Sequence, residues 1–344
     1  MPVAIRSFAK INIGLTIGPP GMREDGFHEL RTVYQTIALH DTIKLSLTSG
    51  STGIEIKCRD PRVPQDESNT CYRVADRVMK AMKSRGKLTI SIDKNLPVQG
   101  GMGAASSNGV ATMLGVEKLL KKSLAAEERL RIAQEVGSDL PLFLIGGTVL
   151  GIGRGEQVFP LPELPPMYVV VATPDIGIST PKAFAAWDKL FPKMFHVEHS
   201  GKPAQDSGGS LTISGQTSKL NEFNREVYSW LSLGFSAAAS GVSARGGNRA
   251  EAPLLDLVRT GIENDFERVV FTQFPELRDI KRALERAGSK YASLSGSGST
   301  LYGLFSSKAE AAKAAVSLNE QGIPAQATET LSRQQYWKRL VASD

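Results

Sequence analysis

Of the 344 residues, 41% are hydrophobic and 22% charged, with a formal net charge of +6. Such a chain is long enough for two domains of ordinary size, and its balance is that of a soluble globular protein, not a disordered or fibrous one. Only two cysteines occur, Cys58 and Cys71, which excludes a disulfide framework and a cysteine zinc site and makes the reducing cytoplasm the expected compartment.

The segment from Met1 to Arg6 lacks the basic head and apolar core of a signal peptide. The most apolar run, 140–152, contains three glycines and is too short for a bilayer, so no membrane partner is expected. The basic excess points to anionic ligands. Lysines and arginines are dispersed, and Lys118, Lys121 and Lys122 suit the solvated end of a helix. Phosphorylated small molecules are therefore expected, and nucleic acid is not.

Ala9, Ile11, Ile13, Leu15 and Ile17 alternate with Lys10, Asn12, Gly14 and Thr16. That period of two predicts a strand with one buried face and puts Lys10 and Asn12 together on the other. Gly18-Pro19-Pro20-Gly21 ends it. Residues 33–39 and 43–47 are predicted as two further strands, and 69–83 as a helix through Val74, Val78, Ala81 and Met82. A strand over 88–92 leads through a run of small residues into a helix reaching about Leu120. Residues 125–136 form another helix stopped by Gly137, after which Ser138 is placed to cap a short helix. A strand over 148–151 lies between the turns Gly146-Gly147 and Gly153-Arg154-Gly155-Glu156.

Pro160, Pro162, Pro165 and Pro166 mark the best boundary, dividing 1–162 from 163–335. Beyond it come a strand over 168–172 and a helix over 181–190. Residues 194–252 are rich in Gly, Ser, Ala, Gln and Asn with weak periodicity, and read as a long, partly mobile insertion. His196, Glu198 and His199 within it lack a third ligand set for a metal. Helices over 254–270 and 276–287, a Ser/Gly loop over 293–300, a strand over 301–305, a helix over 307–321 and a strand near Ala325 complete the chain. The mixture predicts an α+β protein with its site between two domains.

The most informative stretch is Leu96-Pro97-Val98-Gln99-Gly100-Gly101-Met102-Gly103-Ala104-Ala105-Ser106-Ser107-Asn108. Small residues let the backbone approach a ligand, and a helix N-terminus offers unpaired N–H groups and a favourable dipole to an anion. A P-loop is absent, because Gly86-Lys87 precedes Leu88 and Gly201-Lys202 precedes Pro203. The dinucleotide fingerprint fails at Ser106, and no protein-kinase signature occurs. The bland reading of such a loop is close packing of a turn.

Lys10 with Asn12, the loop, and Asp139 together suit phosphoryl transfer, which needs a phosphate cradle, a metal and a group for the acceptor proton. Asp139 can accept that proton and Lys10 can lower the hydroxyl's pKa. Taken singly, Asp139 better suits a helix first turn, and Lys10 at least equally a snorkelling edge-strand lysine.

The early lysine strand, the loop over 97–107 and Gly296-Ser297-Gly298 resemble the GHMP kinase superfamily. Ala9-Lys10-Ile11-Asn12-Ile13, Arg23-Glu24-Asp25-Gly26-Phe27-His28-Glu29-Leu30 and Gly137-Ser138-Asp139-Leu140-Pro141-Leu142-Phe143 resemble, more narrowly, its family of 4-diphosphocytidyl-2-C-methyl-D-erythritol kinases. The resemblance runs from about residue 5 to 190 and from about 254 to 306. It implies a two-domain fold, ribosomal-protein-like then ferredoxin-like, with the site in the cleft. It further implies ATP and Mg²⁺, and phosphorylation of the 2-hydroxyl of a diphosphocytidyl methylerythritol in the non-mevalonate isoprenoid route. Lys10 and Asp139 would be catalytic, Asn12 beside the acceptor, and Phe27 and Phe184 on either face of cytosine with His28 reading its edge. Asn69 and Lys94 would line the adenine side, and Pro97, Gly100, Gly101, Met102, Gly103, Ala104, Ala105, Ser106 and Ser107 the phosphates. The metal ligands stay open among Ser106, Ser107 and a carboxylate. Met102 stands for the usual leucine, and Ala104-Ala105 for glycines. Other readings are a GHMP kinase of homoserine, a sugar or a mevalonate-type alcohol, and a non-catalytic RNA-binding protein.

Overall fold

The alternation around Lys10 is part of one long strand, β1 (Val3–Ile17), which pairs antiparallel with a longer one, β2 (Leu30–Thr48). The computed structural model describes residues 2–191, 211–239 and 263–341. The two strands expected over 33–39 and 43–47 are both segments of β2, because hydrogen bonding continues through His40 and Asp41. Register shifts at Phe8/Ala9 and Asn12/Gly14 bend the β1–β2 pair on either side of Lys10.

β2 also pairs with β4 (Lys87–Asp93) and with β5 (Thr148–Gly153). β3 (Gly53–Cys58) runs parallel to β4, and β6 (Gln157–Pro160) antiparallel to β5, completing a six-stranded sheet. Helices α1 (Thr70–Ala81), α2 (Ala104–Leu120), α3 (Ala126–Val136) and the one-turn α4 (Leu140–Phe143) accompany it. Val74, Val78, Val110, Met113 and Ile132 bury their apolar stripes against Ile43, Leu45 and Ile90 of the sheet.

The second sheet is antiparallel, in the order β10 (Ala325–Glu329), β7 (Tyr168–Ala172), β9 (Leu301–Phe305), β8 (Tyr291–Leu294). Its helices are α5 (Thr180–Asp188), α6 (Ile213–Ala239), α7 (Phe266–Gln273), α8 (Pro275–Arg286) and α9 (Lys308–Glu320). Ile11 and Ile13 of β1 pack with Val169, Val171 and Leu304 in a third apolar cluster that joins the two sheets. The molecule is thus a two-domain α+β fold with a cleft between its halves.

Helix α6 falls inside the segment expected to be an irregular insertion, and Gln216, Leu220, Phe223 and Val227 are buried along it at helical spacing. His196, Glu198 and His199 lie outside the described residues. The helix expected over 254–270 begins, among the described residues, only at Phe266. Asn264 and Asp265 before it have other duties. The Asn264 amide donates to the carbonyls of Leu294 and Gly296, and Asp265 accepts from the Ile17 N–H at 2.9 Å.

We propose residues 162/163, in the proline-rich link between β6 and β7, as the domain boundary. The tail crosses back over it. The Leu331 N–H donates to the Thr36 carbonyl at 2.8 Å, and α10 (Arg333–Leu340) buries Tyr336 and Leu340 in the first core. No helix among the described residues is long and apolar enough to cross a membrane.

Candidate active site

Strand pleating puts Lys10 and Asn12 on one face, and that face is a wall of the cleft. Lys10 is only 3% exposed, so it does not snorkel. Its Nζ donates to Asn12 Oδ1 at 2.7 Å and lies 3.7 Å from Asp139 Oδ2. Asn12 is held in turn by donating to Thr32 Oγ1 at 2.8 Å. Burial pulls the Lys10 ammonium below its usual value of 10.5, and the facing Asp139 opposes that pull.

Asp139, and not Ser138, is the residue capping α4, and its side chain makes no capping hydrogen bond. Its carboxylate instead receives the Tyr34 hydroxyl at 3.3 Å. Burial, with Asp139 adding to it, raises the Tyr34 phenol well above 10.0, so it stays a donor. An alcohol oxygen placed about 2.8 Å from both Lys10 Nζ and Asp139 closes a triangle with the 3.7 Å gap between them.

The small-residue loop lies beside this pair. Gly101 and Gly103 adopt φ of 81° and 69°, and Gly103 precedes α2 without a side-chain cap, leaving the first-turn N–H groups without a side-chain acceptor. A Cβ on Gly101 would collide with the Ser295 carbonyl, so glycine is needed where this loop meets Gly296-Ser297-Gly298. Ala104 and Ala105 sit in the helical first turn, where alanine fits. Met102 is buried and contributes its carbonyl, which accepts from the Lys10 N–H at 3.1 Å. Ser107 is buried too, its Oγ accepting from Ser7 at 2.7 Å, which leaves Ser106 as the serine facing the cleft.

Two cavities share this loop as a wall. One, about 370 Å³, is lined by Asn69, Lys94, Pro97 and the loop residues 98–106. The other, about 690 Å³, holds Lys10, Asn12, Asp139, Phe27, His28 and Phe184. Gly101, Gly103 and Ser106 line both.

Asn69 and Lys94 border the smaller cavity with their polar groups engaged in the fold. Asn69 caps α1 through the Cys71 N–H at 2.8 Å and donates to Pro64. Lys94 is paired with buried Asp41 at 2.8 Å. In the larger cavity His28, not an open slot, lies against Phe184. The rings stack with centroids 4.8 Å apart at 17°, and His28 Nε2 is 2.7 Å from Asp188 Oδ1. Phe27 is 54% exposed, with the Arg154 guanidinium 4.9 Å from its ring centre. A base entering between Phe27 and Phe184 therefore displaces the imidazole from the Phe184 face.

Comparison with known proteins matches residues 69–147 to the GHMP kinases N terminal domain and 250–324 to GHMP kinases C terminal. The 4-diphosphocytidyl-2-C-methyl-D-erythritol kinase of Solibacter usitatus is 37% identical over 302 residues, covering 88% of this chain and 80% of that one. The chain belongs to the GHMP kinase superfamily. The protein of the same name from Desulfitobacterium hafniense is 31% identical, covering 96% of this chain and 97% of its own. A crystal structure of 4-(cytidine 5'-diphospho)-2C-methyl-D-erythritol kinase superposes with a TM-score of 0.66 at 25% identity, over 95% of this chain and 98% of that one. The homoserine kinase of Cytophaga hutchinsonii shares the fold, with a TM-score of 0.64 at 18% identity over 97% of this chain and 96% of its own.

GHMP kinases move a phosphoryl group from ATP, with Mg²⁺, to a small-molecule acceptor, and the site suits both. The uncapped α2 N-terminus and the glycine backbone fit triphosphate oxygens. Among the described residues no three His, Cys, Asp or Glu side chains converge as a metal cage. Ser106 and Asp139 line the cleft and would offer hard oxygen donors to an ion carried by the nucleotide's phosphates. Sequence reasoning missed Tyr34, Asp188 and Arg154. The signal for Tyr34 was weak but present: it lies on the alternate face of a strand, a face otherwise carrying Thr32 and Thr36.

Proposed function

We propose that this kinase phosphorylates the 2-hydroxyl of 4-diphosphocytidyl-2-C-methyl-D-erythritol with ATP, in the non-mevalonate route to isoprenoid precursors. The observation carrying this reading is the shared wall. Lys10 and Asp139 face a cavity with an aromatic end, and Gly101, Gly103 and Ser106 separate it from the cavity suited to the nucleotide. The relatives named above and the 25%-identical structure support the same acceptor.

In this reading the loop amides hold the β- and γ-phosphates. Lys10, kept straight by Asn12, contacts the acceptor hydroxyl and stabilises the oxygen as its negative charge develops. Asp139, aligned by Tyr34, takes the proton. The ion, when bound, neutralises the charge gathering on the transferred phosphoryl group. Cytosine stacks between Phe27 and Phe184 after His28 leaves the Phe184 face, and His28 then reads the base edge.

The test is turnover of ATP by the purified protein against a panel of acceptors: the cytidyl substrate, homoserine, mevalonate and galactose. ADP formation is expected with the first alone, and a faster rate with any other overturns the acceptor. Lys10→Ala and Asp139→Asn should each lower kcat by roughly 10²–10⁴-fold. An unchanged kcat removes that residue's role.

A further inference from the structure

One cation lining the acceptor cavity is only loosely held, with no hydrogen bond to its Nε among the described residues. Arg154 sits in the turn between β5 and β6. Its Nε is shielded from solvent yet donates to no described residue. The nearest carboxylate oxygen, Glu156 Oε1, stands at 3.7 Å, and the other oxygen of Glu156 already accepts the Arg154 backbone N–H at 2.6 Å. A buried donor left open is unfavourable, and a ligand oxygen is its natural complement.

The turn fixes where this charge stands. Gly153 and Gly155 have φ of 72° and 93°, and the Gly155 N–H closes on the Ile152 carbonyl at 3.0 Å. A Cβ on Gly155 would come within 2.5 Å of Tyr34 Oη, the hydroxyl that donates to Asp139. On its other side the guanidinium is over Phe27. Arg154 therefore stands between the aromatic end of the cavity and the Asp139 end.

A base-linked acceptor has its diphosphate at that same middle position, joining the ring to the reacting alcohol. Lys10 stands at the Asp139 end, where the reading above places it on the acceptor hydroxyl. A guanidinium offers a planar fork that matches phosphate oxygens. We propose that Arg154 binds the diphosphate of the acceptor and so selects nucleoside-diphosphate-linked alcohols over simple ones. This deepens the acceptor reading given above and rests on it.

The experiment is titration calorimetry of the full-length protein with CDP and with cytidine, for wild type, Arg154→Met and Arg154→Lys, alongside steady-state kinetics. CDP should bind wild type more tightly than cytidine does. In Arg154→Met the CDP affinity should fall roughly 10- to 100-fold while cytidine binding holds. KM for the cytidyl acceptor should rise in step, KM for ATP should stay, and Arg154→Lys should recover part of the loss. An active wild type whose preference for CDP survives in Arg154→Met overturns the diphosphate assignment alone, as does equal loss of both ligands. A wild type that turns over no cytidyl acceptor overturns the acceptor reading and this assignment with it.

Discussion

Lys10 is pulled in two directions, and the balance is measurable. Burial lowers its pKa and Asp139 raises it. Replacing Asp139 by Asn removes the attraction and keeps the burial, so the Lys10 amine should titrate at lower pH in Asp139→Asn than in wild type. The pH dependence of its amine labelling reads this directly. An unmoved titration shows that the 3.7 Å pair is not coupled. The sign for stability follows. With a folded value below 10.5, the unfolded chain binds more protons in the window between the two. Folding is therefore penalised below the folded value and relieved as pH rises toward 10.5. At this scale the sequence was legible where period alone decides: Lys10 and Asn12 share a face, and their 2.7 Å bond follows from it. Tyr34 was legible only weakly, by its strand face, and Arg154 and the stacking of His28 on Phe184 were not, because each depends on how distant segments meet. His28 and Phe184 are on a loop and on α5, and no spacing rule relates them.

Among elements, the phosphate loop depends on a carboxylate that local pattern leaves unremarkable. Asp41, in mid-β2 and fully buried, accepts from Lys94 Nζ, from the N–H groups of Asn95 and Leu96, and from Asn108 Nδ2. It thereby joins the approach to the loop with the second turn of α2. Asp41→Ala strands a lysine, two backbone amides and the Asn108 carboxamide, and should destabilise the fold by about 3–5 kcal/mol. Urea unfolding measures this, and a shift under 1 kcal/mol, the range of an exposed ion pair, would show the cluster to be dispensable. Helix α1 was readable from its apolar spacing and α3 from its stop at Gly137. β3 and β6 went unread although β5, β7 and β9, no longer than β3, were found, and β2 looked like two strands because its apolar pattern breaks at His40 and Asp41, where the polar cluster begins. Helix α6 was hidden by a composition that suggests a loop, although its buried positions recur every three or four residues.

For the whole molecule, the two halves are joined at both ends. The described tail brings Leu331, Tyr336 and Leu340 into the first core, and the Tyr336 hydroxyl donates to the Phe143 carbonyl at 2.7 Å. Phe143 belongs to α4, the turn that carries Asp139, and its ring lies so close to Gly103 that a Cβ there would sit 2.9 Å from it. Tyr336→Ala should destabilise the protein by about 3–5 kcal/mol through the cavity it leaves. It should also lower kcat by loosening α4, while KM for ATP changes less. Calorimetric melting and steady-state rates check both, and a kcat equal to wild type would show α4 to be seated without the tail.

That same return of the tail sets an order of events during synthesis. A ribosome extrudes the lysine strand, the glycine turn and Asp139 long before it reaches Tyr336. A nascent chain therefore displays every reacting group while the wedge behind α4 is still unmade, and the packing of Tyr336 and Leu340 is added only when residues 331–340 emerge. If α4 needs that wedge, turnover of ATP follows the emergence of residues 331–340 and not that of Asp139.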